Sequence, residues 1–265
     1  IDEVIDRIAE IDGEHTVFAP DVPVAGGGLF TREYIAENEE KFDKAYSLLA
    51  DEESKRVYRD ILNFKVSGKI KYLLTSFCDK SKVYSDILNL NENEEIIDLG
   101  AYDGDTIREF TAATGGKYKH ITALEPDKKS YKKLLKNTDG MDNICALNMG
   151  AWSKKDTLIF DAEAGRNSKL SAEGVSVEVT DIDSLNITPT FIKMDIEGSE
   201  MKALEGAEKT IKKYLPKLYI CAYHRNEDLF ALPLKINELS EKYRIYFRHS
   251  KYIPAWESNF YCVAE

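Results

Sequence analysis

Hydrophobic positions divide the chain near residue 95 into a helical part and a part in which strands and helices alternate. Residues 1–12 carry apolar side chains at helical spacing, and the same period runs from Thr31 to Leu90. Three successive glycines at 26–28 follow two prolines and mark a flexible break. Asp51 is a predicted N-cap, because its carboxylate can accept hydrogen bonds from the N–H groups of a first helical turn. We therefore expect a helical lead-in over residues 1–83.

After Glu95, apolar runs of strand length alternate with helical patterns. Predicted strands cover 96–99, 121–124, 144–149, 190–194 and 218–223, and predicted helices cover 106–113, 128–136, 200–214 and 228–243. Runs at 158–160 and 175–179 indicate an inserted hairpin, with Gly165 and Asn167 in its loop. The last two strands, 244–248 and 260–264, are too close for a helical crossover and must pair antiparallel. The pattern predicts an α/β fold with a doubly wound, mostly parallel sheet and an antiparallel last strand.

Composition excludes several classes of protein. The 265 residues contain 36 Lys and Arg and 47 Asp and Glu, a net charge of −11 that repels nucleic-acid phosphates and anionic lipid. We expect no nucleic-acid partner, and the lysine-rich helix at 128–136 is interpreted as a solvated face. No apolar run reaches the ~18 residues of a membrane span. The four cysteines are widely spaced, which favours a reducing cytoplasm over a disulfide framework or zinc site. Because the first residue is Ile1, we expect a fragment of a longer protein.

A glycine-containing turn follows the first strand of the alternating region. Gly100 permits a tight turn and close approach of a ligand, and Gly104 follows four residues later. Tyr102 replaces the middle glycine of a dinucleotide-binding fingerprint. Three carboxylates surround the turn, those of Asp98, Asp103 and Asp105. They are unsuited to pyrophosphate and suit a cationic ligand such as an amino acid sulfonium. The alternative interpretation is a simple capped βα turn.

Glu125 stands at the end of the second strand, 21 positions after Gly104. A carboxylate at this place can accept hydrogen bonds from both ribose hydroxyls of an adenosine ligand. The alternative is an exposed glutamate that caps the next helix, in whose first turn Pro126 is well placed.

Further charged residues follow the fourth and fifth strands. Ligands of open α/β sheets lie beyond the carboxyl ends of the strands, so Asp195 and Glu197 are expected to face the same crevice as Glu125. Lys193 alternates to the same sheet face as Asp195. Either carboxylate can hold a cofactor amine, bind a metal or take a proton, and Glu197 can instead cap a helix. His224 is a candidate general base, or a loop histidine that orients Asp228 or Glu227. Arg248 and His249 are weaker candidates to line the mouth of the same crevice.

These motifs resemble the FkbM family of S-adenosylmethionine-dependent methyltransferases. The resemblance covers residues 84–265 and is carried, in order, by IIDLGAYDGDTIREF, ALEPDKKSYKKL, FIKMDIEGSEMKALEGAEKTI, YHRNEDL and YRIYFRHS. It implies the class I methyltransferase fold, with a seven-stranded sheet and an antiparallel last strand. It also implies S-adenosylmethionine as cofactor and O-methylation of a hydroxyl on a sugar, glycoconjugate or secondary metabolite.

The resemblance assigns residues to the cofactor and to the reaction. Its cofactor loop falls on Asp98, Gly100, Ala101, Tyr102, Gly104, Asp105 and Thr106. Its ribose-binding acid falls on Glu125 beside Pro126, and its adenine region on Gly150, Ala151 and Trp152. Its KxDxEG motif falls on Lys193, Asp195, Glu197 and Gly198. The catalytic candidates are Asp195, Glu197, His224 and Lys193, and Asp195 is also a candidate cofactor ligand. The choice of base among Asp195, Glu197 and His224 stays open. A metal ion held by these three residues is the lesser alternative, so no metal is predicted.

Other assignments remain open from the sequence alone. Residues 1–83 carry no transferable motif, and the helical segment 31–90 is expected to cover the carboxyl edge of the sheet or to form a homo-oligomer contact. Its deletion should abolish methyl transfer but spare cofactor binding, unless it belongs to the core. One rival function is a nicotinamide-dependent oxidoreductase, against which the missing G-x-G-x-x-G argues. Another is a catalytically degenerate binding module, against which acids at three strand ends argue.

Overall fold

The centre of the protein is a large twisted sheet, seen in a computed structural model that describes residues 2–160 and 175–265. The strands are β1 (Phe77–Cys78), β2 (Glu95–Leu99), β3 (His120–Leu124), β4 (Ile144–Leu147), β5 (Gly150–Ala151), β6 (Asp156–Phe160), β7 (Val175–Thr180), β8 (Phe191–Met194), β9 (Lys217–Cys221), β10 (Tyr243–Ser250) and β11 (Ser258–Ala264). Among these, eight form the main sheet in the order β1-β10-β11-β9-β8-β2-β3-β4, and three form a small sheet in the order β5-β7-β6.

The strand directions confirm the predicted α/β class. β11 pairs antiparallel with both β9 and β10, and the other neighbours in the main sheet are parallel. The predicted number of seven strands was wrong, because β1 adds an eighth at the edge beside β10. Two residues are too few to show the alternation of apolar and polar positions that marks a strand, so the sequence predicted a helical segment there. The predicted hairpin is confirmed by the antiparallel pair β6–β7, and its loop with Gly165 and Asn167 lies outside the described residues.

Helices cover both faces of the sheet. They are α1 (Asp2–Glu14), α2 (Arg32–Glu37), α3 (Glu39–Ser47), α4 (Glu52–Ser67), α5 (Lys71–Leu74), α6 (Lys80–Lys82), α7 (Asp105–Ala113), α8 (Lys128–Asn137), α9 (Glu200–Gly206), α10 (Glu208–Tyr214) and α11 (Asp228–Leu239), with a π-helical turn at Val83–Ile87 and a 3₁₀ turn at Asp183–Leu185. The single helix predicted over 200–214 is two helices. At the break, a Cβ on Gly206 would lie 2.1 Å from the backbone oxygen of Trp152, so the chain packs too closely there for a side chain.

Alternating strand residues face two hydrophobic cores. On β9, Leu218 and Ile220 belong to the first core, with α4, α9 and α11. Tyr219 and Cys221 belong to the second core, with α7 and the π-helical turn. Because successive side chains of a strand point to opposite faces of the sheet, each residue at the end of a strand also lies on the side of one core or the other.

The helical lead-in shares the first core with the sheet. Val57, Ile61 and Phe64 of α4 are almost completely buried, and the ring of Tyr58 lies 5.3 Å from that of Phe247 on β10. The predicted cap is confirmed, since Asp51 accepts a hydrogen bond from the Ser54 N–H at 2.7 Å. The division of the chain at residues 83 and 84 stays a prediction.

The glycine-rich segment of the lead-in reaches the carboxyl edge of the sheet, which is the edge formed by the ends of β2, β3, β8 and β9. The Ala25 N–H donates to the backbone oxygen of His224 at 2.9 Å. The Asn226 amide donates to the backbone oxygen of Gly28 at 3.3 Å. Residues of the lead-in therefore contact the edge at which the candidate site residues were predicted.

Candidate functional site

The turn after β2 is held in place by the two neighbouring strands. The N–H groups of Gly100 and Ala101 both donate to the backbone oxygen of Leu124, at 2.9 and 3.0 Å. Gly100 has φ +76°, and a Cβ there would lie 1.9 Å from the backbone oxygen of Asp195. Only glycine fits both the conformation and this close approach. The turn is thereby fixed against the end of β8, and Gly104, four residues later, is the N-cap of α7.

Asp98 and Lys193 form a buried ion pair beneath this turn. They are cross-strand neighbours on β2 and β8, with 3.1 Å between Asp98 Oδ1 and Lys193 Nζ. Thr106 Oγ1 donates to Asp98 Oδ2 at 2.7 Å, and Lys193 Nζ donates to the Gly100 oxygen at 2.9 Å. Burial alone would lower the pKa of Lys193, but the carboxylates of Asp98 and Asp195 raise it above its ordinary value. Lys193 is thus a fixed cation that joins β8 to the turn.

Glu125 lies at the tip of β3 with its carboxylate against the glycine turn. One oxygen accepts from the Tyr102 N–H and the other from the Asp127 N–H, both at 2.8 Å. Burial raises the pKa of Glu125 to about 7, although these two hydrogen bonds act in the opposite direction. The alternative interpretation as an exposed helix cap was wrong: Glu125 is buried, and Asp127 caps α8 by accepting from two N–H groups of its first turn.

Asp195 and His224 form the centre of a second cluster, just beyond β8 and β9. The distance between His224 Nε2 and Asp195 Oδ1 is 3.3 Å, and the Tyr223 hydroxyl donates to the same oxygen at 3.2 Å. Glu197 Oε2 lies 3.7 Å from His224 Nε2. On the far side of the ring, Glu200 Oε1 lies 2.8 Å from His224 Nδ1.

The charges in this cluster favour the protonated form of His224. Burial alone would lower the pKa of this imidazole, but Glu200 and Asp195 together raise it well above its ordinary value. A cationic imidazole cannot accept a proton, which argues against His224 as the general base. Burial would raise the pKa of Asp195, but the hydrogen bond from His224 and the charge of Lys193 hold it below its usual range. The side chains of Asp195 and Glu197 are 32% and 36% exposed, whereas that of His224 is 1% exposed, so the two carboxylates are the members that a substrate can reach.

Two further expectations about histidine and arginine were wrong. His224 does not orient Asp228, whose carboxylate accepts instead from the Arg225 N–H at 2.8 Å. Arg248 pairs with Asp51 at the start of α4, at 2.7 Å, and His249 is completely buried. Both therefore serve the packing of the lead-in and β10 and do not line the mouth of the site.

The predicted adenine region lies next to the tip of β3. A Cβ on Gly150 would lie 3.8 Å from the Cβ of Pro126, so the two backbones are neighbours. Ala151 is buried, and the Trp152 N–H donates to the backbone oxygen of Thr180 at 2.8 Å. The structure thus brings these residues to the same end of the sheet as Glu125. Asp105, in contrast, is an exposed residue in the first turn of α7.

Three site residues were missed by sequence reasoning. Glu200 was taken as the start of a helix, yet it is fully buried and also accepts from the Ile196 N–H at 3.0 Å. Tyr223 was read as part of a strand. The Asn148 amide donates to the backbone oxygens of both Glu125 and Pro126, at 2.8 and 3.0 Å. The sequence could have identified Asn148, because a polar residue near the end of an apolar strand lies at the carboxyl edge of the sheet.

Two features are absent from residues 2–160 and 175–265. No group of three His, Cys, Asp or Glu side chains is arranged to hold a metal ion. No helix in the same part of the chain has both the length and the apolar character needed to cross a membrane. The cytoplasmic location stays a prediction.

The fold and the clustered residues at its carboxyl edge define an α/β protein of the class I methyltransferase type. The chain belongs to the FkbM methyltransferase family: the family model for the methyltransferase FkbM domain matches residues 98–252. The resemblance inferred from the motifs is thereby confirmed, and the chain contains a methyltransferase domain. No curated protein matches the chain.

A solved structure supports this assignment. The FkbM methyltransferase from Methylobacillus flagellatus KT is 29% identical, with a TM-score of 0.74, over 87% of this chain and 60% of that chain. This chain therefore spans 60% of the length of that protein. An rRNA methylase from Streptococcus thermophilus is more distant, at 12% identity and TM-score 0.46 over 70% of this chain and 93% of that chain. Fibrillarin from Aeropyrum pernix is similarly distant, at 12% identity and TM-score 0.45 over 69% and 72%.

Proposed function

We propose that this protein transfers a methyl group from S-adenosylmethionine to a hydroxyl of a sugar, glycoconjugate or secondary metabolite. The single observation that carries the proposal is the position of Glu125. Its buried carboxylate stands at the tip of β3 and is joined through the Tyr102 N–H to the glycine turn after β2. Family membership supports the same function.

The residues at the edge fit an adenosyl ligand in their chemistry. The two oxygens of Glu125 are acceptors for a ribose diol. The turn from Gly100 to Thr106 brings backbone close to that carboxylate, and residues 150–152 adjoin Pro126 for the adenine. The carboxylate of Asp195 is a counter-charge for a cationic amino acid group.

S-adenosylmethionine, when bound, supplies an electrophilic methyl group on a sulfonium. The chain's own task is to orient the acceptor hydroxyl in line with that methyl group. We assign this task to Asp195, which is half-buried and accepts a hydrogen bond from the Tyr223 hydroxyl on one oxygen. A hydroxyl that forms a new C–O bond becomes strongly acidic, so a carboxylate with a lowered pKa is still basic enough to take its proton.

His224 and Lys193 act through Asp195 in this account. Both side chains are buried, and the hydrogen bond from His224 and the charge of Lys193 lower the pKa of Asp195, which favours its ionised form in a partly buried site. Glu200 in turn holds the His224 ring from behind, at 2.8 Å. Glu197, at 3.7 Å from the same imidazole, is a second carboxylate at the mouth.

The test is methyl transfer from labelled S-adenosylmethionine to a panel of sugars and small hydroxylated metabolites. We expect labelled product with the wild-type chain and a loss of kcat on the order of 10²-fold or more in Asp195→Asn, because a general base contributes about that much. Asp142→Asn, which changes an exposed aspartate, is the matched control. Full activity of Asp195→Asn would contradict the assigned role. Binding of NADH but not of S-adenosylmethionine would favour the rival oxidoreductase.

A further inference from the structure

A row of polar side chains crosses the sheet on the side of the second core. By strand parity, Asp98, Lys193 and Asp195 face this side, and so do Tyr223 and Glu257. The register pairs Cys221 of β9 with Asn259 of β11, so Tyr223 and Glu257 lie next to each other just beyond the ends of these strands. The row therefore extends from the Asp195 carboxylate toward β11, in the direction opposite to the glycine turn.

The far end of this row is a cluster that the proposed mechanism does not use. Lys80 Nζ lies 3.2 Å from Glu109 Oε2 and 3.8 Å from Glu257 Oε2. The Tyr84 hydroxyl donates to Glu109 at 2.6 Å. The side chains of Lys80, Glu109 and Glu257 are 24%, 39% and 31% exposed, so a ligand can reach all three. Burial raises the pKa of Glu257 and the ammonium of Lys80 opposes this shift, with a smaller raising contribution from the negative charge of Asp195.

Aromatic rings and an amide form the floor of this cluster. The Lys80 ammonium lies 5.7 Å from the centre of the Tyr219 ring, which is 4.8 Å from the ring of Tyr261. The Asn259 amide donates to the Glu257 backbone oxygen at 3.1 Å. Asn259 is fully buried, yet its Oδ1 has no hydrogen-bond partner among the described residues. Buried polar atoms are rarely left in this state, so the oxygen indicates a group that is completed by a ligand or a water.

We propose that Lys80, Glu109 and Glu257 form the acceptor subsite of the methyltransferase, and that it takes a neutral polyhydroxyl compound such as a sugar ring. This inference rests on the proposed function and narrows its acceptor. Carboxylates accept hydrogen bonds from hydroxyls, and the ammonium donates to them. One cation faces two carboxylates here, with Asp195 nearby, so a phosphorylated or carboxylated acceptor would be repelled.

The proposal is tested by saturation-transfer NMR with the methyl glycosides of glucose, mannose and galactose and with the matching 6-phosphates. S-adenosylhomocysteine is present throughout, and its own binding is measured by calorimetry on each protein. We expect at least one neutral glycoside to bind the wild type and to lose affinity on the order of tenfold in Glu257→Gln and in Glu109→Gln, the loss given by one hydrogen bond to a charged group. Affinity for S-adenosylhomocysteine should not change in these variants, which shows that they are folded.

The control is Glu92→Gln, which alters an exposed carboxylate paired with Lys117 at the surface and should bind glycosides as the wild type does. The subsite is overturned if no neutral glycoside binds while S-adenosylhomocysteine does, or if both glutamine variants bind glycosides as well as the wild type. Tighter binding of a 6-phosphate would equally contradict a neutral acceptor. If S-adenosylhomocysteine fails to bind the wild type, the proposed function itself is wrong and the subsite falls with it.

Discussion

Asp98 and Lys193 face each other across β2 and β8 as a fully buried ion pair, with 3.1 Å between Oδ1 and Nζ. Asp98 also holds the start of α7 through Thr106, and Lys193 holds the glycine turn through the Gly100 oxygen. Two motifs that are almost 100 residues apart in sequence are thereby joined at one point. The pair links the proposed cofactor turn to β8, the strand that Asp195 follows.

Removal of the lysine should therefore destabilise the whole fold. Lys193→Met leaves the buried Asp98 carboxylate without its cation, and we expect the free energy of unfolding to fall by about 3–5 kcal/mol. Urea unfolding followed by circular dichroism measures this. Lys117→Met, which breaks the exposed pair with Glu92, should change stability by no more than about 0.5 kcal/mol. Equal losses of unfolding free energy in the two variants would contradict a larger stabilising role of the buried pair.

Glu125 should make stability depend on pH in a defined window. Its pKa is about 7 in the folded chain and 4.5 is the ordinary value, so between these pH values the folded state holds a proton that the unfolded chain has lost. The contribution of Glu125 to the free energy of unfolding then falls as pH rises through this window and is constant above it. Urea titrations across that range should show the slope in the wild type and a shallower slope in Glu125→Gln. An unchanged slope in the variant would show that Glu125 is not the group responsible.

His224 should be a cation at neutral pH. Its folded pKa is raised, so its stabilising contribution is present below the ordinary value of 6.5 and is lost only as pH rises through the higher folded value. Imidazole NMR, assigned with His224→Gln, should show the ring protonated at about pH 7.5. Glu200→Gln should lower the pKa, because it removes the carboxylate that lies 2.8 Å from Nδ1. A neutral His224 ring at that pH in the wild type would restore it as a candidate base.

The helical lead-in should behave as part of the core. Phe64 of α4 is completely buried, and Phe64→Ala should cost about 3–5 kcal/mol of unfolding free energy. Phe18, which is 61% exposed, supplies the matched control, since Phe18→Ala should change stability only slightly. Because of these contacts, we expect a deletion of residues 31–90 to abolish folding, the outcome predicted for a segment that belongs to the core. A loss of less than about 1 kcal/mol for Phe64→Ala would instead support a separable cap.

Much of the fold follows from patterns that are local in sequence. Alternation of strands and helices predicted the parallel sheet, and the rule that ligands lie beyond the carboxyl ends of strands brought Asp98, Glu125 and Asp195 to one edge. β1 was missed because two residues carry no period. The helix over 200–214 was drawn too long: it breaks after Gly206, where the chain packs closely on the Trp152 backbone, a contact that no local pattern reveals.

The electrostatics of the site depended on tertiary partners. The acids at the edge were interpreted as a concentration of negative charge for a sulfonium. Asp98 is in fact neutralised by Lys193, and Asp103 pairs with Arg108 at 3.3 Å. His224 was a plausible base from the sequence, but three carboxylates, those of Asp195, Glu197 and Glu200, lie within 3.7 Å of its ring nitrogens. Glu200, the fully buried one of the three, gave no sign in the sequence that it faces inward to the site.

The central claim is that Glu125 and the glycine turn bind an adenosyl ligand, and calorimetric titration with S-adenosylhomocysteine tests it most directly. We expect binding to the wild type with a Kd in the micromolar range, equal to about −8 kcal/mol, a near-complete loss in Glu125→Ala and no change in Glu92→Gln. Absence of binding to the wild type, or equal binding to Glu125→Ala, would contradict the account.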